Sequence, residues 1–419
     1  MRILDVSPRV SNPPARGSSV RTANLLRQLA HRHEVRQFSQ ARLRRAGDPE
    51  SSHGALRVTP SYTEFRARPR LATLATELSA RSWVRAPVLS GTGLHRSRQL
   101  RELIDWGDVV LVEFPWQVAS CRRLRPTAPL VLAGHNVEAP KFADYARAAG
   151  SPRTANVWLR AIERIERRAV RSADLVLAVS DADRADLIAR YGAAPDRVTT
   201  VPNGADTARY RPVTATERRA ARAALGLPDR PTVLFAAADV PPNRAGLDWV
   251  RRVAARAPQV TFLVTGTVAP PGRDDFVAVG LLDDFGQALA AADCALCPIE
   301  FGGGTKIKLL EGLAAGLPTV AFAEALHGLD LTDEVLVAPK SGDGLVAAVE
   351  RALHPAVGAD LSARGRAWVI AHHSWQTIAA QLEERLLALA GQAAAVGAGA
   401  GSSSTTGSGS MPTTSYTSS

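Results

Sequence analysis

Short, continuous apolar runs alternate along this chain with longer segments of helical period. Runs at 2–7, 34–38, 108–113, 129–133, 173–180 and 198–202 occupy the first half, and runs at 232–238, 260–266, 276–280, 294–299 and 319–322 the second. Apolarity without alternation over so few residues predicts strands covered on both faces, as in parallel sheets. Between them lie a stretch carrying Val20, Leu25, Leu26 and Leu29, then 158–171, 181–190, 216–225, 247–257, 341–351, 360–373 and 376–389. These predict helices, and 158–171 adds i,i+4 pairs such as Glu163–Arg167. The alternation predicts an α/β chain of two Rossmann-like domains facing across a cleft, because 419 residues exceed one ordinary core. Residues 39–103, with scattered apolar positions and Pro60, Pro69 and Pro87, predict no clear order of elements. Within them, 65–88 reads as a basic amphipathic segment able to lie on anionic lipid. The Gly/Ala/Ser/Thr-rich, uncharged stretch 391–419 predicts a disordered tail.

The densest chemistry is EFGGGTKIKLLEGLAAGLPTVAF, residues 300–322. It reads as strand, glycine loop, helix and strand, with Ile307, Leu310 and Ala314 on one helix face and Gly316 and Pro318 ending it. Gly304, Lys308 and Glu311 share the other face at i, i+4 and i+7. Free amides of Gly303, Gly304 and Thr305 at the helix start favour an anion such as phosphate. Lys306 and Lys308 fall in the first turn, where a bound diphosphate would turn an unfavourable cation into a favourable one. Glu311, a turn deeper, is placed to accept two ribose hydroxyls. Read alone, the loop also fits a surface turn with two solvated lysines, and it is no Walker loop.

Elsewhere, Gly17 opens the helix after the loop 8–19, where glycine allows backbone close to a phosphate or forms a plain turn. His135 follows the strand 129–133 at the end where open α/β sheets bind ligands, although a structural histidine fits there too. Arg244 is the cation of the loop 239–244, a candidate diphosphate clamp or a solvated side chain.

The stretch Gly302, Gly304, Thr305, Lys308, Leu310, Glu311, Ala314, Gly316 and Pro318 resembles the donor segment of glycosyltransferase family 4, whose members have the GT-B fold. Gly17 and Arg21 resemble its G-x3-R loop, His135-Asn136-x-Glu138 its histidine motif, and Val201-Pro202-Asn203-Gly204-x-Asp206 the end of its first domain. The resemblance implies a first domain, 1–205, facing the acceptor, a second, 206–373, holding the donor, and a helix, 374–390, returning to the first. It implies a retaining transferase moving a sugar from a nucleotide-diphosphate sugar to an acceptor hydroxyl, lipid-linked acceptors included, with no metal and no cofactor. His135 would sit beside the donor sugar, Leu281 by the base, Arg21 and Asn203 along the cleft, and Glu138 would orient the loop or acceptor. Many members carry a glutamate where this chain has Gly303, and Glu300 is the nearby substitute. That departure keeps open a catalytically impaired binding or scaffold protein, and the shared fold keeps open a sugar-nucleotide epimerase.

Charge is uneven. Residues 1–203 hold 33 Lys and Arg against 19 Asp and Glu, and the remainder 18 against 21. The basic half suits an anionic acceptor or membrane surface, and equally a solvated arginine-rich face. No nucleic-acid motif accompanies it. Cys121, Cys294 and Cys297 exclude a disulfide framework, and the Cys294–Cys297 spacing lies in an apolar strand, where buried thiols are expected. A start directly on a strand, with no run long enough to span a bilayer, predicts a cytoplasmic protein, with the inner membrane face within reach of its basic half.

Overall fold

The computed structural model describes residues 1–14, 16–43, 51–79, 85–150 and 155–401. Among them, β1 (Arg2–Ser7), β2 (Glu34–Gln40), β3 (Gly54–Thr59), β4 (Tyr62–Ala67), β5 (Val109–Val112), β6 (Leu130–Ala133), β7 (Leu175–Ala178) and β8 (Val198–Thr200) form the first sheet. The second holds β9 (Thr232–Ala236), β10 (Thr261–Thr265), β11 (Gly272–Arg273), β12 (Val277–Gly280), β13 (Cys294–Cys297), β14 (Thr319–Ala321) and β15 (Leu336–Val337). Their orders are β3-β4-β2-β1-β5-β6-β7-β8 and β11-β12-β10-β9-β13-β14-β15. Pairing is parallel except for β3 with β4 and β11 with β12. In each sheet the winding reverses beside the first strand, at β1 and at β9, and that switch point is where open α/β sheets receive ligands.

Two-sided burial explains the unalternating strands. Leu4 and Val6 pack with Phe38 and Val110 on one face of β1, while Ile3 packs with Val35 and Val109 on the other. In β9, Val233 and Phe235 join one core and Leu234 its opposite. Both sheets are therefore sandwiched by helices, as the sequence pattern predicts.

Residues 39–103 contain what the pattern does not reveal. Phe65 lies in β4, within the sheet, so 65–88 is not one lipid-lying amphipathic segment; helices Arg70–Ser79 and Arg85–Ser90 follow, and 80–84 lie outside the described residues. β4 turns polar side chains inward: Glu64 is fully buried and accepts the Ser11 amide (2.7 Å), the Ser39 hydroxyl (2.7 Å) and the Arg66 guanidinium (2.9 Å). A hydrophobicity pattern cannot register a strand whose buried face is an ionic network. The helix predicted at 247–257 also begins earlier, at Pro241, since a proline at the first helical position needs no amide donor.

The last helix, Trp375–Gly401, lies on the first domain, with Trp375, Ile378, Ala379, Leu382 and Leu386 buried beside Leu25, Leu29 and Val109. It runs past the predicted end at 390, correcting the disordered reading for 391–401, because alanine is the strongest helix former; 402–419 lie outside the described residues. Two segments cross between the domains, tied by Ala205 N–H to the His373 carbonyl (2.8 Å) and by a ring nitrogen of His373 to the Asn203 carbonyl (2.6 Å). A Cβ on Gly204 would stand 2.8 Å from the His373 carbonyl and 2.9 Å from Trp375, so glycine lets these segments touch. Among the described residues no helix is long and apolar enough to cross a membrane. Trp375→Ala should lower stability by about 3–5 kcal/mol, read as an earlier urea midpoint. An unchanged midpoint would show that this helix is fastened elsewhere.

Candidate active site

A cleft of about 1330 Å³ opens between the two domains, and the glycine loop after β13 forms part of its wall. Gly302 (φ 101°) and Gly304 (φ 69°) turn the chain through conformations that suit glycine. The Lys306 ammonium folds back to donate to the carbonyls of Gly302 (3.0 Å), Gly303 (3.2 Å) and Gly304 (2.7 Å). Burial pushes this lysine down to about 8, so it is a loop clamp and not an outward cation. With the carbonyls gathered there, the amides of Gly303, Gly304 and Thr305 donate to no protein acceptor among the described residues. They precede the helix Ile307–Ala314, whose positive end adds to them.

Lys308 lies in the first turn, its ammonium 2.9 Å from Asn243 Oδ1 and 4.8 Å above the Phe235 ring, with its pKa lowered by burial. Asn243 is a partner that sequence reading passed over in favour of its neighbour. Arg244 instead forms a two-point pair with Asp239 (2.5 and 2.9 Å), is 58% exposed at its side chain and does not line the cleft, which corrects its expected place as a diphosphate clamp. Glu311 does line the cleft. Desolvation pushes it up to about 8, Arg209 opposing and Asp206 adding to the rise, and no side chain among the described residues hydrogen-bonds to it. Leu281 lines the cleft with more than half its surface exposed. Glu300 does not: it lies within reach of the Lys340 charge, whose pKa is raised first by Glu324 and last by Glu300, so the expected substitute for the glutamate missing at Gly303 is not part of the cleft wall.

The first domain supplies the facing wall. Gly17 opens the helix Gly17–Leu29 at the cleft, where a Cβ would meet Ile307 at 3.8 Å. His135 lines the cleft with its Nε2 2.5 Å from Glu113 and its ring stacked on Phe114 at 4.4 Å. Glu138 caps its own loop, accepting from Asn136 (3.0 Å) and Lys141 (2.6 Å), which places it as a loop-orienting group. Asn203 donates to the Thr305 hydroxyl (2.6 Å), joining the domains at the cleft floor. Gly304 lies just behind the surface: a Cβ there would stand 2.4 Å from Asn136 Oδ1 and 2.9 Å from the His135 carbonyl. Arg21 is a correction. It is 1% exposed, donates to the carbonyls of Val201 (2.8 Å) and Pro202 (2.6 Å) and to Asn203 (3.1 Å), and so braces the hinge without lining the cleft. No group of His, Cys, Asp or Glu among the described residues is arranged to hold a metal ion. Asp284 caps the helix Phe285–Ala291 and pairs with Arg209 (2.8 Å), and burial raises the Cys294 and Cys297 thiols.

Sequence reading missed Glu113, Phe114 and Asn243. The first two carry a faint signal, a carboxylate and an aromatic ending an apolar strand.

Residues 15–209 match the model of Glycosyltransferase Family 4, and residues 230–355 that of glycosyl transferases group 1. D-inositol 3-phosphate glycosyltransferases of Mycobacterium bovis and Mycobacterium tuberculosis are 31% identical over 225 residues, 49% of this chain and 45% of theirs. The match thus spans less than half the length of these curated relatives. Sucrose-phosphate synthase from Thermosynechococcus elongatus aligns with a TM-score of 0.70 at 19% identity, covering 93% of this chain and 99% of that one. HepE of Anabaena, solved with UDP-glucose, aligns with a TM-score of 0.67 at 15% identity, covering 93% and 100%. Two family models in sequence, one on each sheet, with neighbours of one architecture over almost the whole chain, lead to one assignment: the chain belongs to glycosyltransferase family 4 and has the GT-B fold.

Proposed function

We propose that this chain is a retaining glycosyltransferase that moves a sugar from a nucleotide-diphosphate sugar to an acceptor hydroxyl. The observation carrying the reading is the set of acceptorless amides at Gly303–Thr305, with Lys308 and Glu311 on the same side of one cleft and His135 on its other wall. The diphosphate would settle against those amides and the helix start, where Lys308 and the dipole stabilise the charge that grows as the sugar–phosphate bond breaks. Glu311, with no hydrogen-bonded side chain among the described residues, would take the ribose hydroxyls. Leu281 offers an apolar surface to the base. His135 would support the sugar at the oxocarbenium-like centre, and the departing phosphate oxygen would take the acceptor's proton on the same face, so that configuration is kept. No metal and no cofactor enters this scheme.

Relatives suggest where to begin. HepE was solved with UDP-glucose, so UDP-sugars are the first donors to test. The mycobacterial relatives are named for a phosphorylated inositol, and the first-domain wall of the cleft carries Arg9, Arg16, Arg27 and Arg42, so polyol phosphates are the first acceptors to test. Lipid-linked acceptors at an anionic membrane surface form the second set, suited to the basic first half.

Binding of ribose hydroxyls by an ionised Glu311 releases a proton from a group titrating at about 8 in the empty site. Donor affinity should therefore strengthen as pH rises toward about 8, by up to about tenfold per unit, and stop rising above it, where Lys306 gives up its proton. Titration calorimetry from pH 6.5 to 9 reads this directly. Glu311→Ala should weaken donor binding by about 1–3 kcal/mol and abolish the slope; wild-type affinity in that variant would remove the ribose assignment. Product analysis by NMR tests the stereochemistry: the anomeric configuration of the donor should be retained, and an inverted product would overturn the same-face scheme.

A further inference from the structure

Two side chains hold His135, and sequence reading singled out neither. Glu113 follows β5 directly, and its backbone N–H is bound to the Val6 carbonyl at 3.0 Å. His135 follows β6, the parallel neighbour of β5, so the two side chains emerge side by side at the carboxyl ends of the strands. Glu113 is 4% exposed and His135 8%. The imidazole edge is fixed by Nε2 to Glu113 Oε2 at 2.5 Å, and its face by Phe114, 16° from parallel. Nδ1 has no hydrogen-bond partner among the described residues, yet it is not among the buried atoms left unsatisfied, so it is open to the cleft that His135 lines.

A second carboxyl lies behind the first. Asp5, fully buried in β1, lies close enough to Glu113 to feel its charge. Its Oδ1 accepts from Gln37 at 2.8 Å, while its Oδ2 has no hydrogen-bond partner among the described residues. Burial, and then the charge of Glu113, push Asp5 well up. Burial works against ionisation of Glu113 too, but His135, with smaller contributions from Asp5 and the Arg21 charge, outweighs it and holds it below the usual range. Glu64 adds a more distant negative charge to Asp5, and Tyr62 reaches the group through its hydroxyl on Gln37 at 2.6 Å. Their surroundings thus favour the protonated form of Asp5 and the ionised form of Glu113, the member that faces the imidazole.

We propose that Glu113 is a positioning residue of this site: it fixes the proton of His135 on Nε2 and presents the Nδ1 lone pair to the cleft. A carboxylate at that edge can only accept, so Nε2 must donate, and the neutral ring then carries no proton on Nδ1. Nδ1 can accept a sugar hydroxyl, and the carboxylate stabilises whatever positive charge the ring takes on. The consequence for catalysis rests on the transferase reading above; the tautomer does not.

Histidine-selective 15N NMR of the whole chain without substrate, the signal assigned by its loss in His135→Gln, reads the tautomer at a pH where the ring is neutral. Wild type should show a single form with Nε2 protonated. A wild-type ring protonated at Nδ1 would overturn the proposal before any variant is made. In Glu113→Gln, whose amide can also donate, the Nδ1–H form should appear and kcat should fall by about 10–10³-fold, with donor affinity within about twofold. Glu113→Asp should recover part of both. Asp5→Asn, whose amide donates as a protonated carboxyl does, should leave tautomer and kcat near wild type. A Glu113→Gln protein with the wild-type tautomer, or with a mixed tautomer and undiminished kcat, would reduce Glu113 to a buried structural partner. If no donor and acceptor turn over with any variant, the transferase reading fails while the NMR still decides the tautomer.

Discussion

Backbone amides without acceptors are the constraint on which this structure turns. Polar backbone groups in a folded chain are almost always paired, and a segment that leaves several open is held in that state by the groups around it. Here Lys306 does the holding: its ammonium collects three successive carbonyls of the glycine loop. With the acceptors drawn inward, Gly303, Gly304 and Thr305 keep their donors unpaired at the start of a helix. β13 aims that helix start into the crevice beside β9, and the first domain closes against it through Asn136 and Asn203. Loop, helix, sheet order and domain contact converge on one place where a negative charge is welcome.

This division of labour separates two lysines that look alike in sequence. Lys306 and Lys308 are two residues apart, and spacing alone puts both in the first turn as phosphate cations. Lys306 instead precedes the helix and turns back on the loop, whereas Lys308 projects toward Asn243 within the cleft. The carbonyls that Lys306 gathers belong to a loop turning through the positive φ of Gly302 and Gly304, a property of the backbone that no side-chain pattern displays.

Much of the architecture was legible because burial on both faces writes itself as uninterrupted apolar runs. The strands around β1 and β9, the helix starting at Ile307 and the hinge at Asn203-Gly204 all follow from that pattern and from turn residues. What stayed hidden shares one cause: polar groups used inside. The buried face of β4 is Tyr62, Glu64 and Arg66, and the group behind His135 is Glu113 with Asp5. Each of these residues reads as a surface residue in a linear sequence, and each has a hydrogen-bond partner far along the chain. Arg21 and Arg244 failed as cleft residues for the complementary reason. Arginine matches carbonyl and carboxylate geometry so well that nearby acceptors, the 201–203 turn for one and Asp239 for the other, claim it first.

The glycine at 303 is best understood from the same contacts. A Cβ there would meet Lys141 at 3.5 Å and Asn136 at 3.6 Å, ordinary contact distances, so a side chain at 303 would project beside the first domain's wall. Lys141 is paired with Glu138 at 2.6 Å, so the carboxylate nearest that point comes from the opposite wall and has its own cation. A glutamate on the loop would bring an uncompensated negative charge beside the site where the amides are open. At the reduced effective dielectric of a partly closed cleft, such a charge within a few ångströms of a diphosphate costs several kcal/mol before any sugar contact offsets it. Glycine removes that cost and lets the two walls approach. On the proposed reading, the departure from the family's pattern leaves the open amides untouched and bears on how a sugar ring beyond the diphosphate would be held.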